Sequence, residues 1–329
     1  MKKKTLGIFY GKTCSGCDVQ LLDLGEKFVK LLEYYDLVFW SLAVDTKFDE
    51  LDKIERIDVA IIHGSIRTDE QKERLKYVRE KSDVLVAFGT CACYGGIIGL
   101  ANLLFKDDVL KIVYAQAPST VNPEHVVPSP ITPINDAKLK LPALEPWVQP
   151  LSAFVHVEVF VPGCPPPVNS IEELATFLIN YAKTGEKPTR SIIIAEEKSL
   201  CDVCPRNPKA SRKIIIPKFR RLHEVKIDEN KCFLEQGIIC LGPVTRAGCD
   251  ARCIKANVPC RGCMGPAPNV IDMASKFITS IASLVEIDKE RMYSDEELIK
   301  KLEEIPDPAG YFSRFTLPSG LIKHRVKKG

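Results

Sequence analysis

The sequence predicts an α/β protein in which a doubly wound parallel sheet is followed by a smaller, irregular and helical domain. Three observations carry this. Short apolar runs alternate with helical patterns from residue 6 to residue 181, as strands buried on both faces and their crossover helices require. The alternation stops near Thr184-Gly185-Glu186-Lys187-Pro188. Beyond it, eight of the 13 cysteines fall between Cys201 and Cys263. At 329 residues the chain has room for two domains, placed at 1–187 and 188–329.

Leu6–Tyr10 is the first strand. Apolar residues at helical spacing (Val19, Leu22, Leu24, Phe28, Leu31, Leu32) predict one helix over 19–32, with Asp18 as its cap. Leu37–Val44 is a second strand, Phe48–Ile54 a short helix, and Val59–Ile62 a third strand stopped by His63-Gly64-Ser65. Thr68 opens a helix to Lys81 with Asp69 and Glu70 in its first turn, where the helix dipole favours acids. Val84–Phe88 is the fourth strand. The proline-rich stretch 117–150 breaks the rhythm. It carries too many apolar residues for a solvated linker, including Val126, Val127, Ile131, Ile134, Leu139, Leu141 and Trp147. It is expected to pack on a partner subunit or, alternatively, on its own domain as an irregular loop. Val155–Val161 is the fifth strand, and Ile171–Tyr181 a helix capped by Asn169 or Ser170. Asp272–Leu284 and Asp295–Leu302 read as helices. The basic tail reads as a solvated end.

A net charge of +3 gives no case for a nucleic-acid partner. The apolar run after Met1-Lys2-Lys3-Lys4 is too short for a secretory segment, and no stretch approaches a membrane span. A soluble cytoplasmic protein is expected.

In a reducing compartment such cysteines point to metal or catalysis rather than disulfides. Cys-x-x-Cys occurs at 14/17, 201/204 and 260/263. It presents two ligands from one turn. Cys14 and Cys17 follow the first strand, Cys91 the fourth and Cys164 the fifth. The thiols at these three strand ends can meet at one edge of one sheet, where α/β proteins hold ligands. Cysteine thiolates hold cubane iron–sulfur clusters four at a time. Cys14, Cys17, Cys164 and one of Cys91 or Cys93 make one set. The other eight, Cys201, Cys204, Cys232, Cys240, Cys249, Cys253, Cys260 and Cys263, make two more, with one cysteine spare. Zinc is the rival, since it also takes four cysteines. Against it, Cys240, Cys249 and Cys253 lack knuckle spacing, and Cys-Pro at 164/165 and 204/205 resembles the ending of ferredoxin motifs. Gly95-Gly96 with Gly99 is no dinucleotide fingerprint, and Gly11-Lys12-Thr13 is no phosphate loop. His63 at a strand end reads as a loop histidine. Asp18, beside Cys17, is a cap before it is a tuner of the first cluster or a proton relay.

Cys14-Ser15-Gly16-Cys17, Gly89-Thr90-Cys91 with Gly95-Gly96, and Gly163-Cys164-Pro165-Pro166 resemble the proximal-cluster signature of nickel–iron hydrogenase small subunits. The resemblance continues in order into the second domain. It implies a flavodoxin-like first domain holding a proximal 4Fe-4S cluster through Cys14, Cys17, Cys91 and Cys164, with Cys93 spare. It implies a medial 4Fe-4S cluster on Cys249, Cys253, Cys260 and Cys263, and a distal one on Cys201, Cys204, Cys232 and Cys240. Cys201 stands where respiratory members have histidine, and a fourth medial cysteine stands where they have three. Both departures resemble the cytoplasmic archaeal-type enzymes, above all the gamma (small) subunits of the methyl-viologen-reducing, deazaflavin-non-reducing kind. Three 4Fe-4S clusters, no catalytic residue in this chain, a nickel–iron large subunit as partner and an iron–sulfur acceptor, such as a 2Fe-2S subunit linked to heterodisulfide reductase, are what the resemblance implies. The small subunit related to quinone reductases is a poorer match, because its signature has adjacent cysteines and this chain has none.

Overall fold

The computed structural model describes residues 2–208, 214–216, 218–282, 284, 294, 296, 300, 303–305 and 307–326. It separates into two units, one of residues 1–194 with 315–329 and one of residues 195–314.

The first unit is built on a six-stranded parallel sheet. Its strands are β1 (Lys4–Tyr10), β2 (Tyr35–Phe39), β3 (Ile57–His63), β5 (Ser82–Phe88), β9 (Val159–Val161) and β10 (Ile192–Ile193), in spatial order β10-β9-β5-β3-β1-β2. Counted along the chain this is the flavodoxin order 2-1-3-4-5 with one strand added. The order reverses between β1 and β3, so the loop after β1 opens at the crevice where such sheets bind ligands.

Alternation along the strands assigns two cores. Leu6, Ile8, Val59, Ile61, Val84, Val86, Val159 and Val161 face α1 (Gly16–Leu22), α2 (Glu26–Leu32) and α6 (Val168–Thr184). Phe9, Ala60, Ile62, Leu85 and Ala87 face α3 (Asp69–Lys81) and α4 (Thr90–Tyr94). Burying each aliphatic side chain contributes about 1.5–3 kcal/mol. Both faces of the sheet are thus covered, as continuous apolar strands require.

Several boundaries differ from the sequence reading for identifiable reasons. The helix expected over 19–32 is broken into α1 and α2 at Gly25, which takes φ +53°. Val19 and Leu22, counted in its apolar stripe, are exposed. Asp18 is not a cap: it lies inside α1, whose N-cap Ser15 makes no side-chain capping bond. β2 ends at Phe39 because Trp40 turns its indole toward Asp18. β9 is shorter than expected, beginning at Val159 rather than Val155. Neither Asn169 nor Ser170 caps α6; the helix starts behind Pro167, whose fixed φ suits the last residue before it. Thr68 does cap α3, its Oγ1 accepting the Gln71 N–H at 3.2 Å.

The proline-rich stretch, which follows the short helix α5 (Lys106–Lys111), is more ordered than an irregular loop. Ile131–Ile134 (β6) and Ala137–Lys140 (β7) form an antiparallel hairpin turning at Asn135-Asp136, and Leu144–Gln149 (β8) pairs antiparallel with Ile66–Thr68 (β4). Asn-Asp between two alternating runs is a hairpin signal in hindsight. The tail is not a free solvated end up to Arg325. Buried Asn102 donates to the carbonyls of Val148 and Lys323, accepts the Val148 N–H, and its carbonyl accepts the Arg325 N–H at 2.8 Å. Trp147 stacks on His324 at 4.2 Å. The tail returns to the first unit and Ile192–Ile193 joins its sheet. The division therefore falls at 194/195 rather than 187/188.

The second unit has its own core of Leu200, Phe233, Leu234, Ile239, Leu241, Val244, Phe277 and Ile281, with Cys240 and Cys260 inside it. Its described elements are short, chiefly single 3-10 turns, α7 (Arg252–Lys255) and α8 (Met273–Ala282). α8 realises the helix expected over 272–284. The helix expected over 295–302 falls mostly outside the described residues. Among the described residues no helix is long and apolar enough to cross a membrane.

Candidate iron–sulfur sites

Cys14 lies in the loop after β1 and Cys17 in the first turn of α1. Cys91 lies in α4 after β5, and Cys164 in the loop after β9. Three sheet-end segments thus deliver four thiols to the crevice, two of them from the segment after β1. The thiols feel one another: Cys17 couples to Cys91, Cys164 and Cys14, Cys91 to Cys164 and Cys14, and Cys164 to Cys14. Burial, then these neighbours, raise the Cys17 thiol far above its ordinary value and push Cys91 up to about 12. Thiols so placed are neutral without metal and must release protons to bind it. Cys14 and Cys164 remain exposed.

Two glycines make room for the sulfurs. Gly89, at φ +85°, would bring a Cβ to 2.5 Å from Cys17 Sγ. Gly96, at φ +64°, would drive one into Cys91 Sγ. Amides also converge on the ligands: Ile97 and Ile98 donate to Cys91. Such N–H groups stabilise an anionic thiolate and tune a bound cluster.

Cys93 behaves differently. It is fully buried in the core under the sheet, its thiol donating to the Ala87 carbonyl at 3.3 Å. Cys91, not Cys93, reaches the other three.

In the second unit Cys201 couples to Cys240, Cys232 and Cys204, and these four line a cavity of about 100 Å³ with Phe233, Ile254 and Gly242. Burial raises the Cys201, Cys232 and Cys240 thiols, the last to about 11. The amides of Leu234 and Glu235 donate to Cys232, and those of Gly242 and Cys260 to Cys240. The remaining cysteines enter as two pairs, Cys249 with Cys253 and Cys260 with Cys263. Cys260 also adjoins the neighbouring set: its N–H donates to Cys240 Sγ at 3.3 Å. Sequence spacing held no sign of this contact.

Among the described residues no three His, Cys, Asp or Glu side chains converge as a site for one metal ion. The thiols are grouped around spaces rather than points. All-thiol donor sets, glycine clearances and amide donors fit an iron–sulfur cluster, whose ligands are cysteine thiolates and whose sulfurs accept hydrogen bonds.

Sequence reasoning missed what holds the first loop. Asp18 and His63 are both buried, and Asp18 Oδ1 lies 2.9 Å from His63 Nε2 and 2.8 Å from Trp40 Nε1. Burial raises the Asp18 pKa, but hydrogen bonds from His63, Trp40 and Ser15 bring it below its ordinary value. His63, a polar residue ending an apolar strand, was the available signal.

The chain matches the family described as NADH ubiquinone oxidoreductase, 20 Kd subunit, over residues 14–177. That likeness covers β2, β3, β5 and β9 of the sheet, although the adjacent cysteines are lacking. An iron-sulfur subunit of the F420-non-reducing hydrogenase of Archaeoglobus profundus is 35% identical over 321 residues, 96% of each chain. This chain belongs to the family of hydrogenase iron–sulfur subunits. The corresponding F420-non-reducing hydrogenase subunit of Methanothermobacter thermautotrophicus is 37% identical, across 99% of this chain and 98% of its own. The [NiFeSe] hydrogenase of Desulfovibrio vulgaris Hildenborough shares the fold, with a TM-score of 0.51 at 18% identity, covering 81% of this chain and 94% of that one. Family membership makes the chain an iron–sulfur subunit of an oxidoreductase.

Proposed function

We propose that this chain is the small, electron-transferring subunit of a cytoplasmic nickel–iron hydrogenase, the gamma subunit of the methyl-viologen-reducing, deazaflavin-non-reducing kind. Hydrogen is oxidised at a nickel–iron site in a partner large subunit. The acceptor is an iron–sulfur protein such as a heterodisulfide reductase complex. The chain's own part is conduction. Three bound 4Fe-4S clusters would supply one-electron redox chemistry.

The observation that carries this reading is the meeting of Cys14, Cys17, Cys91 and Cys164 at one sheet edge, in a chain similar to hydrogenase subunits over almost its whole length. Cys14, Cys17, Cys91 and Cys164 hold the proximal cluster. Cys201, Cys204, Cys232 and Cys240 hold the distal one, and Cys249, Cys253, Cys260 and Cys263 the medial one. Gly89 and Gly96 keep the first sulfurs unobstructed, and the amides of Ile97 and Ile98 stabilise the Cys91 thiolate.

A partner at the open end of the first site fits its exposure. Cys14 and Cys164 are exposed, and Val19 and Leu22 present apolar surface just beyond Cys17. The 112–141 segment likewise exposes Val113, Val121, Val126, Ile131, Ile134 and Leu139. A sizeable exposed apolar surface of this kind marks an interaction site.

The test is anaerobic purification from the native cells. Co-purification of a nickel-containing large subunit, with hydrogen-dependent methyl viologen reduction, is expected. Iron and sulfide in this chain without nickel in any partner would replace the reading with an electron-transfer module of another complex. Zinc without sulfide would replace it with a zinc-stabilised interaction protein.

A further inference from the structure

Asp18 carries a charge into the interior beside the first cysteine set, and it is 4% exposed. Burying an isolated carboxylate is costly unless partners surround it. Here the partners come from separate pieces of chain. Trp40, just past β2, donates its indole N–H at 2.8 Å. His63, the last residue of β3, places Nε2 at 2.9 Å. Ser15, between Cys14 and Cys17, also hydrogen-bonds to the carboxylate. The far side of His63 continues the tie, with Nδ1 lying 3.3 Å from Thr13 Oγ1. That hydroxyl in turn accepts the Ser15 N–H at 3.2 Å.

One carboxylate therefore joins the ends of β2 and β3 to both sides of the Cys14 turn. The turn needs such a hold. Ser15 sits in the left-handed region at φ +61°, a conformation that costs a non-glycine residue energy and persists only where surroundings impose it. A fold needing only to fill this space would do so at lower cost with an apolar side chain.

We propose that Asp18 is a positioning residue for the Cys14–Cys17 loop, fixing the two thiols at the geometry a cluster needs through Trp40, His63 and Ser15. Asp18 is not itself a ligand. The inference rests on the reading that Cys14, Cys17, Cys91 and Cys164 hold one cluster.

The experiment compares Asp18→Ala with Asp18→Asn in the intact complex. Asparagine keeps the Oδ1 acceptor that both Trp40 and His63 face, and alanine removes it. The first cluster is identified as the low-temperature EPR signal of the reduced complex that Cys164→Ser abolishes. Outer partners of metal ligands typically affect metal affinity by about 10–100-fold. Asp18→Ala is expected to release iron from this cluster to a chelator about that much faster and to change its EPR line shape, with the other signals unchanged. Asp18→Asn is expected to restore both. An unchanged signal and release rate in Asp18→Ala overturns the proposal. So does an Asp18→Asn variant as damaged as Asp18→Ala, which would assign the effect to charge. Should Asp18→Ala fail to fold, Trp40→Phe and His63→Gln each remove one tie; wild-type signals in both overturn the proposal. A Cys164→Ser complex that keeps every signal overturns the cluster reading itself, separately from any result at Asp18.

Discussion

Four thiols in the first unit stand on the ends of a sheet whose strands are buried on both faces. The eight in the second stand in loops and single turns around a smaller core. The first set is positioned by a scaffold whose core contains none of its ligands except the edge of Cys17. In the second, Cys240 and Cys260 are core residues, and Cys204, Cys232 and Cys249 pack against it. On the proposed assignment the sheet can persist without its cluster, whereas the second unit's core is partly made of its ligands, and metal binding there would contribute to folding as well as to redox chemistry.

The strongest way to break this contrast is to remove the iron. Chelation under oxidising conditions is expected to expose the backbone of 195–314 to hydrogen exchange while β1, β3 and β5 stay protected. Equal protection of both units in the iron-free chain would dissolve the distinction.

Next in size is Cys164→Ser. It should cost the complex the first cluster and stop electron entry while leaving the fold intact, because Cys164 is exposed and contributes nothing to the core. A variant with full iron content and turnover would remove Cys164 from the ligands. Gly89→Ala should act more mildly at the same place, since its Cβ meets Cys17 Sγ and its φ is left-handed. Partial loss of the first cluster, with about 1–3 kcal/mol of destabilisation, is the expected outcome in iron analysis and thermal unfolding.

The smallest effect belongs to Cys93→Ser. The serine hydroxyl can keep the bond to the Ala87 carbonyl, so a loss of no more than about 1 kcal/mol and full iron content are expected. Should Cys93→Ser lose a cluster while Cys91→Ser does not, their assignments exchange.

The same contrast governs how much could be read from the sequence. The strands of the first unit announce themselves because each is an apolar run ended by a turn residue, as in Ile57–His63 before Gly64. The Thr68 cap was legible because its side chain acts on its own neighbourhood. Asp18 was not: the same residue type at a helix start caps locally in one fold and reaches His63, 45 residues away, in another. Nor was the return of 315–325, held by buried Asn102, by the Gly96 N–H on the Phe315 carbonyl and by Trp147 stacked on His324. In the second unit, spacing grouped the cysteines only through family resemblance. The Cys260 N–H on Cys240 Sγ depends on loop path, which periodicity does not encode.

We propose that twelve of the 13 cysteines hold three four-iron clusters. The most direct test is iron and acid-labile sulfide per chain in the complex purified without oxygen. About twelve of each in this chain, with one nickel in the co-purifying large subunit, is the predicted result. About eight irons, or zinc in place of sulfide, would contradict it.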